Sequence, residues 1–325
     1  MASNVSVIVD NLTLLRDVNK KEKNTFKVRA YNKVIQTVTR FVNGNPNGVI
    51  RAEDVANMGL SDAMQKKVLE IIETGKLHQV QNLSGDVLEE TQAVATLTKV
   101  QGIGAVKAGQ LYSKHGIKTV DDLRKKVAGS PEILNDNQLV GLKHFDDLLK
   151  RIPRAEMTKH NALIGDFMGC NEYEVVGSYR RGEKTSGDID VLVRLEPNED
   201  KQSTIDRIVQ DMKARKYIQD VFAHGEKKFM GVCKLPRHRT SRHIDIIVVD
   251  ENSYPFTVLY FTGSDRFNIR MRQHALEMGF SMNEYGLTPT TKEAKARLVG
   301  ATFAREQDIF AFLNMEYVEP TQRSM

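Results

Sequence analysis

The chain has 325 residues, with 47 lysines and arginines against 42 aspartates and glutamates, a formal net charge of +5. Its 40% hydrophobic and 27% charged residues fit an ordinary soluble protein, which at roughly 150 residues per domain means two or three domains. No apolar run reaches the roughly 18–20 residues that span a bilayer. The start MASNVSVIVDNLTLL has neither a basic n-region nor a cleavage site, and two cysteines, Cys170 and Cys233, exclude a disulfide scaffold and a cysteine zinc site. The expected setting is reducing and intracellular, not secreted, with no membrane partner expected.

The positive charge is uneven: residues 1–80 carry 12 basic and 8 acidic side chains, whereas residues 81–325 carry 35 and 34. From about Thr25 to Leu77 the apolar periodicity predicts helices, interrupted by the Asn-Gly-Asn-Pro-Asn-Gly loop at Asn43–Gly48. Polar residues around Asn82–Glu90 read as a linker. Helical patterning resumes from Thr91 to Leu149 and ends near Arg151–Arg154. After Tyr173 the texture turns to β: EYEVVGSYRRG, DIDVLVRL and RHIDIIVVD, with an amphipathic helix at about Thr204–Arg215 between them. A basic stretch, Gly225–His243, carries Lys227, Lys228, Lys234, Arg237, Arg239 and Arg242 against one acid, Glu226, and suits a phosphate backbone. After Tyr254-Pro255 comes a mixed tail with a helix near Asp265–Met278, on which Phe267, Met271 and Leu276 read as the core face. The fold class is α+β: all-helical first, then strands with helices.

Two motifs carry chemistry. In LTKVQGIGAVKAGQLYSKHGIKTVDDLRK, glycines 102 and 104 flank one apolar residue, so the chain turns tightly while Ile103 plugs a core. The helix that follows offers backbone N–H groups to an anion. A plain αα-hairpin would use the same turn, but the run through Gly116-Ile117-Lys118-Thr119 to Arg124 looks like a helix-hairpin-helix DNA-binding module. Met58-Gly59-Leu60-Ser61 reads as a poorer second copy, with Ser61 in place of the second glycine.

The stronger motif is Gly177-Ser178-Tyr179-Arg180-Arg181-Gly182 followed by Thr185-Ser186-Gly187-Asp188-Ile189-Asp190. On a strand, residues i and i+2 share a face, so Asp188 and Asp190 project together. Two adjacent carboxylates on an apolar strand repel unless a cation sits between them, which suits an oxygen-rich site for Mg²⁺. A third acid, Asp245, lies in the apolar strand Ile244–Val249; if the strands are neighbours, three acids converge, enough for two ions. Gly177-Ser178 ends a strand and can donate to a triphosphate that Arg181 neutralises.

With these motifs the sequence resembles the beta-type DNA polymerases of family X, in the nucleotidyltransferase superfamily, from about Thr25 to Pro320. GSYRRGEKTSGDIDVLV, GEKKFMGVCKLP, VLYFTGSDRFN and RQHALEMGFSMNEYGLTP carry the resemblance together with the glycine turn. It implies a helical DNA-binding and lyase domain at 1–82, a helix-hairpin-helix subdomain at 83–154, a catalytic palm with mixed sheet at 155–251, and a nucleotide-selecting subdomain at 252–325. It further implies that Asp188, Asp190 and Asp245 hold two Mg²⁺ ions, with Mn²⁺ as a substitute. Ser178, Arg181, Ser186 and Gly187 would bind the dNTP triphosphate. Tyr260, Phe261 and Gly263 would pack on its sugar, excluding a 2′-hydroxyl, and Asp265, Asn268 and Arg272 would lie along the nascent pair. Gly102, Gly104 and Lys227 would bind DNA, with Na⁺ or K⁺ at Thr98, Val100 and Ile103. Lys67 falls on the Schiff-base position of a 5′-deoxyribose-phosphate lyase, with Lys27 and Tyr31 on the 5′-phosphate and Lys27 and Lys66 lowering its pKa.

The implied protein is a monomeric, gap-filling polymerase of base excision repair. It would act on gapped or nicked DNA with other repair proteins, in the nucleus of a eukaryotic host. The chain departs from the family at His243 and Ile247, where arginines are usual. Ala63 and Gln79 replace phosphate-binding lysines, and Ile269 replaces a basic residue. The rival readings are a template-independent or end-joining member of the same fold, and a non-catalytic DNA-end scaffold, for which an acidic cluster beside a polyanion would be costly.

Overall fold

The computed structural model describes residues 4–43 and 49–324, so residues 44–48 of the loop expected at Asn43–Gly48 lie outside the described residues, while Asn43 ends a helix. The chain divides into two compact units, Met1–Leu142 and Lys143–Met325.

The first unit opens with α1 (Val5–Lys21) and α2 (Thr25–Asn43). Helix α1 lies ahead of the periodicity read from Thr25 onward, and its β-branched start, VSVIV, has a low helix propensity. Ile8, Leu12 and Leu15 nevertheless recur at helical spacing and are fully buried, so tertiary packing overrides the local preference. They share a core with Tyr31, Val34 and Val38 of α2 and with Val68 and Ile71 of a later helix. There follow α3 (Ala52–Ala56), α4 (Asp62–Thr74) and α5 (His78–Gln81), with Gly75 ending α4 in the left-handed conformation at φ +71°.

The expected linker at Asn82–Glu90 is corrected. Helix α6 (Gly85–Leu97) begins inside it, capped by the Ser84 hydroxyl, which accepts from the Val87 N–H; a polar first turn looks like a loop until its cap is recognised. Next come α7 (Ala105–His115), α8 (Val120–Gly129) and α9 (Asp136–Lys143), and α10 (Phe145–Leu148) then opens the second unit.

The second unit contains β1 (Ile152–Pro153), α11 (Arg154–Met168), β2 (Tyr173–Val175), α12 (Gly177–Arg180), β3 (Thr185–Ser186) and β4 (Ile189–Arg194). It continues with α13 (Lys201–Ala214), β5 (Ile218–His224), β6 (Lys228–Cys233) and β7 (Arg242–Val249). One sheet has the order β2-β4-β7-β6-β5, and β4 and β7 are its parallel pair. Alternation along these strands sets the two faces. Ile189, Val191 and Val193, with Ile244, Ile246 and Val248, pack against α11 and α13 through residues such as Ile164, Phe167, Ile205 and Met212. The opposite face carries Asp190, Leu192, Asp245 and Ile247.

That face is only partly covered. Helix α14 (Tyr254–Thr262) places Tyr254 and Val258 over Leu192 and Val249, which leaves the aspartate end open. The chain ends with α15 (Asp265–Glu277), β8 (Phe280–Asn283), β9 (Gly286–Pro289), α16 (Lys292–Leu298) and α17 (Glu306–Phe312) around a core that includes Phe267, Met271, Phe280 and Phe310. On α15 it is Ala275 that joins this core; Leu276, expected there, is 54% exposed.

Candidate active site

Parallel pairing of β4 with β7 puts Asp190 directly opposite Asp245, and Asp188 immediately precedes the same end of β4. Asp188 is exposed, whereas burial, then the charges of Asp188 and Asp245, push the Asp190 carboxyl up from 3.8 to about 7, against the pull of Lys228. Lys228 on β6 reaches Asp245 Oδ2 at 2.7 Å, while the buried Asp245 Oδ1 has no hydrogen-bond partner and His243 Nε2 stands 3.6 Å from it. As the side chains stand, no three His, Cys, Asp or Glu among the described residues close around one point. The strand neighbourhood expected from sequence is therefore present, but not a finished metal cage: Lys228 holds one oxygen of Asp245. The donor set still fits a hard divalent ion. It consists of carboxylate oxygens, one of them orphaned, in a cluster whose mutual repulsion a cation would relieve.

Gly177 sits beside this cluster with φ +64°, and a Cβ there would lie 3.0 Å from Asp190 Oδ2. The strand ends at Val175, so Gly177 and Ser178, expected from sequence to end it, instead begin the single turn of α12. Ser186 is buried, and Gly187 and Asp188 are exposed beyond it. Arg181 donates to the Thr262 carbonyl at 2.6 Å, and with Tyr260, Phe261, Gly263, Asp265 and Asn268 it lines an open cleft of about 380 Å³. Asn268 donates to the Tyr260 carbonyl at 2.7 Å, and the Arg272 guanidinium lies 5.0 Å from the centre of the Tyr260 ring. Arg181 and the residues from Tyr260 to Asn268 thus share one cleft, whose lining includes neither Ser178, Ser186 and Gly187 nor Arg272. Lys227, by contrast, has its Nζ 5.1 Å from the centre of the Tyr285 ring, and Ile269 is 66% exposed on α15.

In the first unit Gly102 has φ +84° and its carbonyl accepts from Gln138 Nε2 at 3.1 Å; Gly104 is the extended residue that starts α7. Thr98, Val100 and Ile103 lie on the same turn, where the Ile103 N–H donates to the Val100 carbonyl at 3.0 Å. Gly59 and Ser61 repeat this arrangement before α4, with φ +62° and −66°. Lys67 is half-buried on α4. Burial lowers its pKa and the Lys27 charge adds to that, while Glu70 opposes both. Lys66, expected to contribute, is exposed and not among the groups acting on it. Tyr31, expected on a phosphate, is 2% exposed with its ring in the helical core, and burial raises its pKa.

Three family descriptions match consecutive parts of the chain: the DNA polymerase beta palm at residues 151–251, the DNA polymerase beta thumb at 257–324, and the fingers domain of DNA polymerase lambda at 95–149. The chain belongs to the family X DNA polymerases. It is 30% identical to DNA polymerase lambda of Rattus norvegicus over 82% of this chain and 47% of that protein. With DNA polymerase lambda of Arabidopsis thaliana it shares 28% identity over 91% of this chain and 58% of that protein. With the DNA polymerase/3'-5' exonuclease PolX of Bacillus subtilis (strain 168) it shares 25%, over 93% and 52% respectively. The chain thus spans about half the length of these curated relatives.

Three contacts of this family X chain are set by the tertiary structure. Lys228, one charge of the basic stretch, is the neighbour of Asp245. Arg242, 5% exposed, donates from Nε and Nη2 to the two oxygens of Glu156, each at 2.8 Å, and from Nη1 to the Lys150 carbonyl at 2.8 Å, so it fixes the start of the strand that carries Asp245. Burial raises the Glu156 carboxyl, but Arg242 outweighs it and leaves the group below its ordinary value. Gln79 accepts a hydrogen bond from Lys67 Nζ. Pairings between separate elements leave no local signal.

Proposed function

We propose that this chain is a template-directed, gap-filling DNA polymerase of base excision repair with an accessory 5′-deoxyribose-phosphate lyase activity. The observation that carries the polymerase reading is the register of Asp190 against Asp245 on adjacent parallel strands, with Asp188 at the same end. Mg²⁺ held by Asp188, Asp190 and Asp245, with Mn²⁺ as a substitute, would supply charge neutralisation and activation of the primer 3′-hydroxyl when bound. The protein's own part is positioning. Ser178, Ser186, Gly187 and Arg181 orient the triphosphate, and Tyr260, Phe261 and Gly263 close on the deoxyribose. Asp265, Asn268 and Arg272 lie along the nascent pair, where Arg272 reads minor-groove edges common to correct pairs.

Gly102 and Gly104 present backbone N–H groups to a DNA phosphate, and carbonyls of Thr98, Val100 and Ile103 would take Na⁺ or K⁺. Lys227 and the basic stretch around it follow the backbone. The partners are gapped or nicked DNA, dNTPs and other repair proteins, with a monomer acting in the nucleus of a eukaryotic host. The lyase reading rests on the lowered pKa of Lys67, which leaves more of its amine unprotonated, with Lys27 near enough to share in lowering it.

Single-nucleotide incorporation into gapped DNA tests the polymerase. Asp245→Ala is expected to lower incorporation at least about 10³-fold while gapped-DNA affinity changes less than about threefold, because only transition-state stabilisation is lost. Unimpaired extension by this variant would overturn the assignment.

A further inference from the structure

We infer that Gln79 is a positioning residue for the Lys67 amine: its amide oxygen holds Nζ in the orientation for attack and then holds the N–H of the resulting iminium. This rests on the lyase reading above and adds a residue to that site. Lys67 projects from α4, and Gln79 sits in the single turn of α5 that follows it. Two contacts fix that turn. Leu77, which precedes α5, is 1% exposed in the helical core, and the His78 N–H donates to Glu70 Oε1 one turn beyond Lys67. The Gln79 side chain is thereby carried back over α4, where Oε1 accepts from Lys67 Nζ.

The choice of an amide has a chemical consequence. A neutral acceptor orients an amine without placing an anion beside it, and an anion would favour the protonated, non-nucleophilic form. Glu70 raises the Lys67 pKa, and one of its oxygens is engaged by the His78 N–H. An N–H of the neutral amine directed at Gln79 turns the lone pair away from α5, toward an incoming aldehyde. Nζ then bonds to C1′ of the sugar, and the carbinolamine hydroxyl, protonated by solvent water, leaves as water to give an iminium with one N–H. That N–H has the same acceptor, Gln79 Oε1, and the hydrogen bond favours the charged iminium, which is the electron sink for elimination. The C2′ proton passes to water, the C3′–O bond breaks, and its electron pair leaves with the downstream phosphate. Hydrolysis of the conjugated iminium returns the amine.

The test is borohydride trapping of the full chain on incised abasic DNA, measured as a rate against pH, alongside the Kd for gapped DNA with a 5′-phosphate. Gln79→Ala is expected to slow trapping about tenfold with Kd unchanged. Gln79→Glu, which adds an anion at the same place, is expected to move the trapping profile about one unit to higher pH. A purely structural residue would not shift the profile in this way. If Lys67→Ala traps as the wild type does, the lyase reading falls and this inference with it. If Lys67→Ala is silent but Gln79→Ala retains the wild-type rate and Gln79→Glu the wild-type profile, only the role of Gln79 is overturned. A loss of trapping matched by an equal loss of DNA affinity also overturns it, since Gln79 would then be a DNA contact.

Discussion

Asp190→Asn separates stability from catalysis at the carboxylate cluster. In the metal-free protein the Asp190 carboxyl stands at about 7 instead of 3.8, chiefly through burial and then through Asp188 and Asp245. Because the folded-state value lies above the unfolded one, the folded state binds the extra proton between these two pH values. Stability therefore falls as pH rises through that window, and the full cost is present above about pH 7. At about 1.4 kcal/mol per pH unit the upper bound is about 4 kcal/mol. The asparagine amide must find its own partners, which leaves an expected net gain of about 2–3 kcal/mol for the variant at pH ~8. For a unit of this size that corresponds to a melting temperature roughly 4–12 °C higher in the presence of chelator. Near pH ~5 most of the difference should vanish, since the wild-type carboxyl is then protonated. Calorimetry of both proteins at the two pH values, with incorporation assayed in parallel, reads the effect. The expected variant is more stable and inactive. Lower stability than wild type at pH ~8, or a gap that does not depend on pH, would refute the reasoning.

Two further outcomes follow from buried charge in the second unit. Arg242→Ala leaves Glu156 unpaired and is expected to cost about 3–5 kcal/mol in urea unfolding; Arg242→Lys should recover only part, because an ammonium cannot reproduce the two-pronged contact. His160 is 1% exposed with Nδ1 2.7 Å from the Tyr217 hydroxyl, and burial pushes its pKa down to about 4. Its folded-state value lies below the unfolded one, so stability should fall by up to about 3 kcal/mol as pH drops from about 6.5 to about 4. His160→Phe should flatten that acid limb in a pH series of unfolding curves, whatever its effect at neutral pH.

Much of the site was legible in sequence because its geometry is local. Asp188 and Asp190 share a strand face by their spacing alone, Gly177-Ser178 and Arg180-Arg181 come just before them, and the residues from Tyr260 to Arg272 follow one another along a helix, a turn and a helix. The glycine turn was readable for the same reason: Gly102 needs a positive φ and Gly104 opens α7. Local reading failed where packing or capping decides. Helix α1 exists because Ile8, Leu12 and Leu15 find a core, and α6 starts early because Ser84 caps it.

What the sequence by itself determined is the inventory of residues: three acids on two apolar segments, a Gly-Ser turn and an arginine pair just before two of them, and a glycine turn between helices. What only the tertiary structure decided is who faces whom. Parallel pairing in one register makes Asp245, 55 residues further along the chain, the neighbour of Asp190. The adjoining antiparallel strand brings Lys228 to Asp245, and a single turn folds Gln79 back onto Lys67. Strand order and register are settled by burying one face of a whole sheet, a property of the assembled core that no short stretch of sequence encodes.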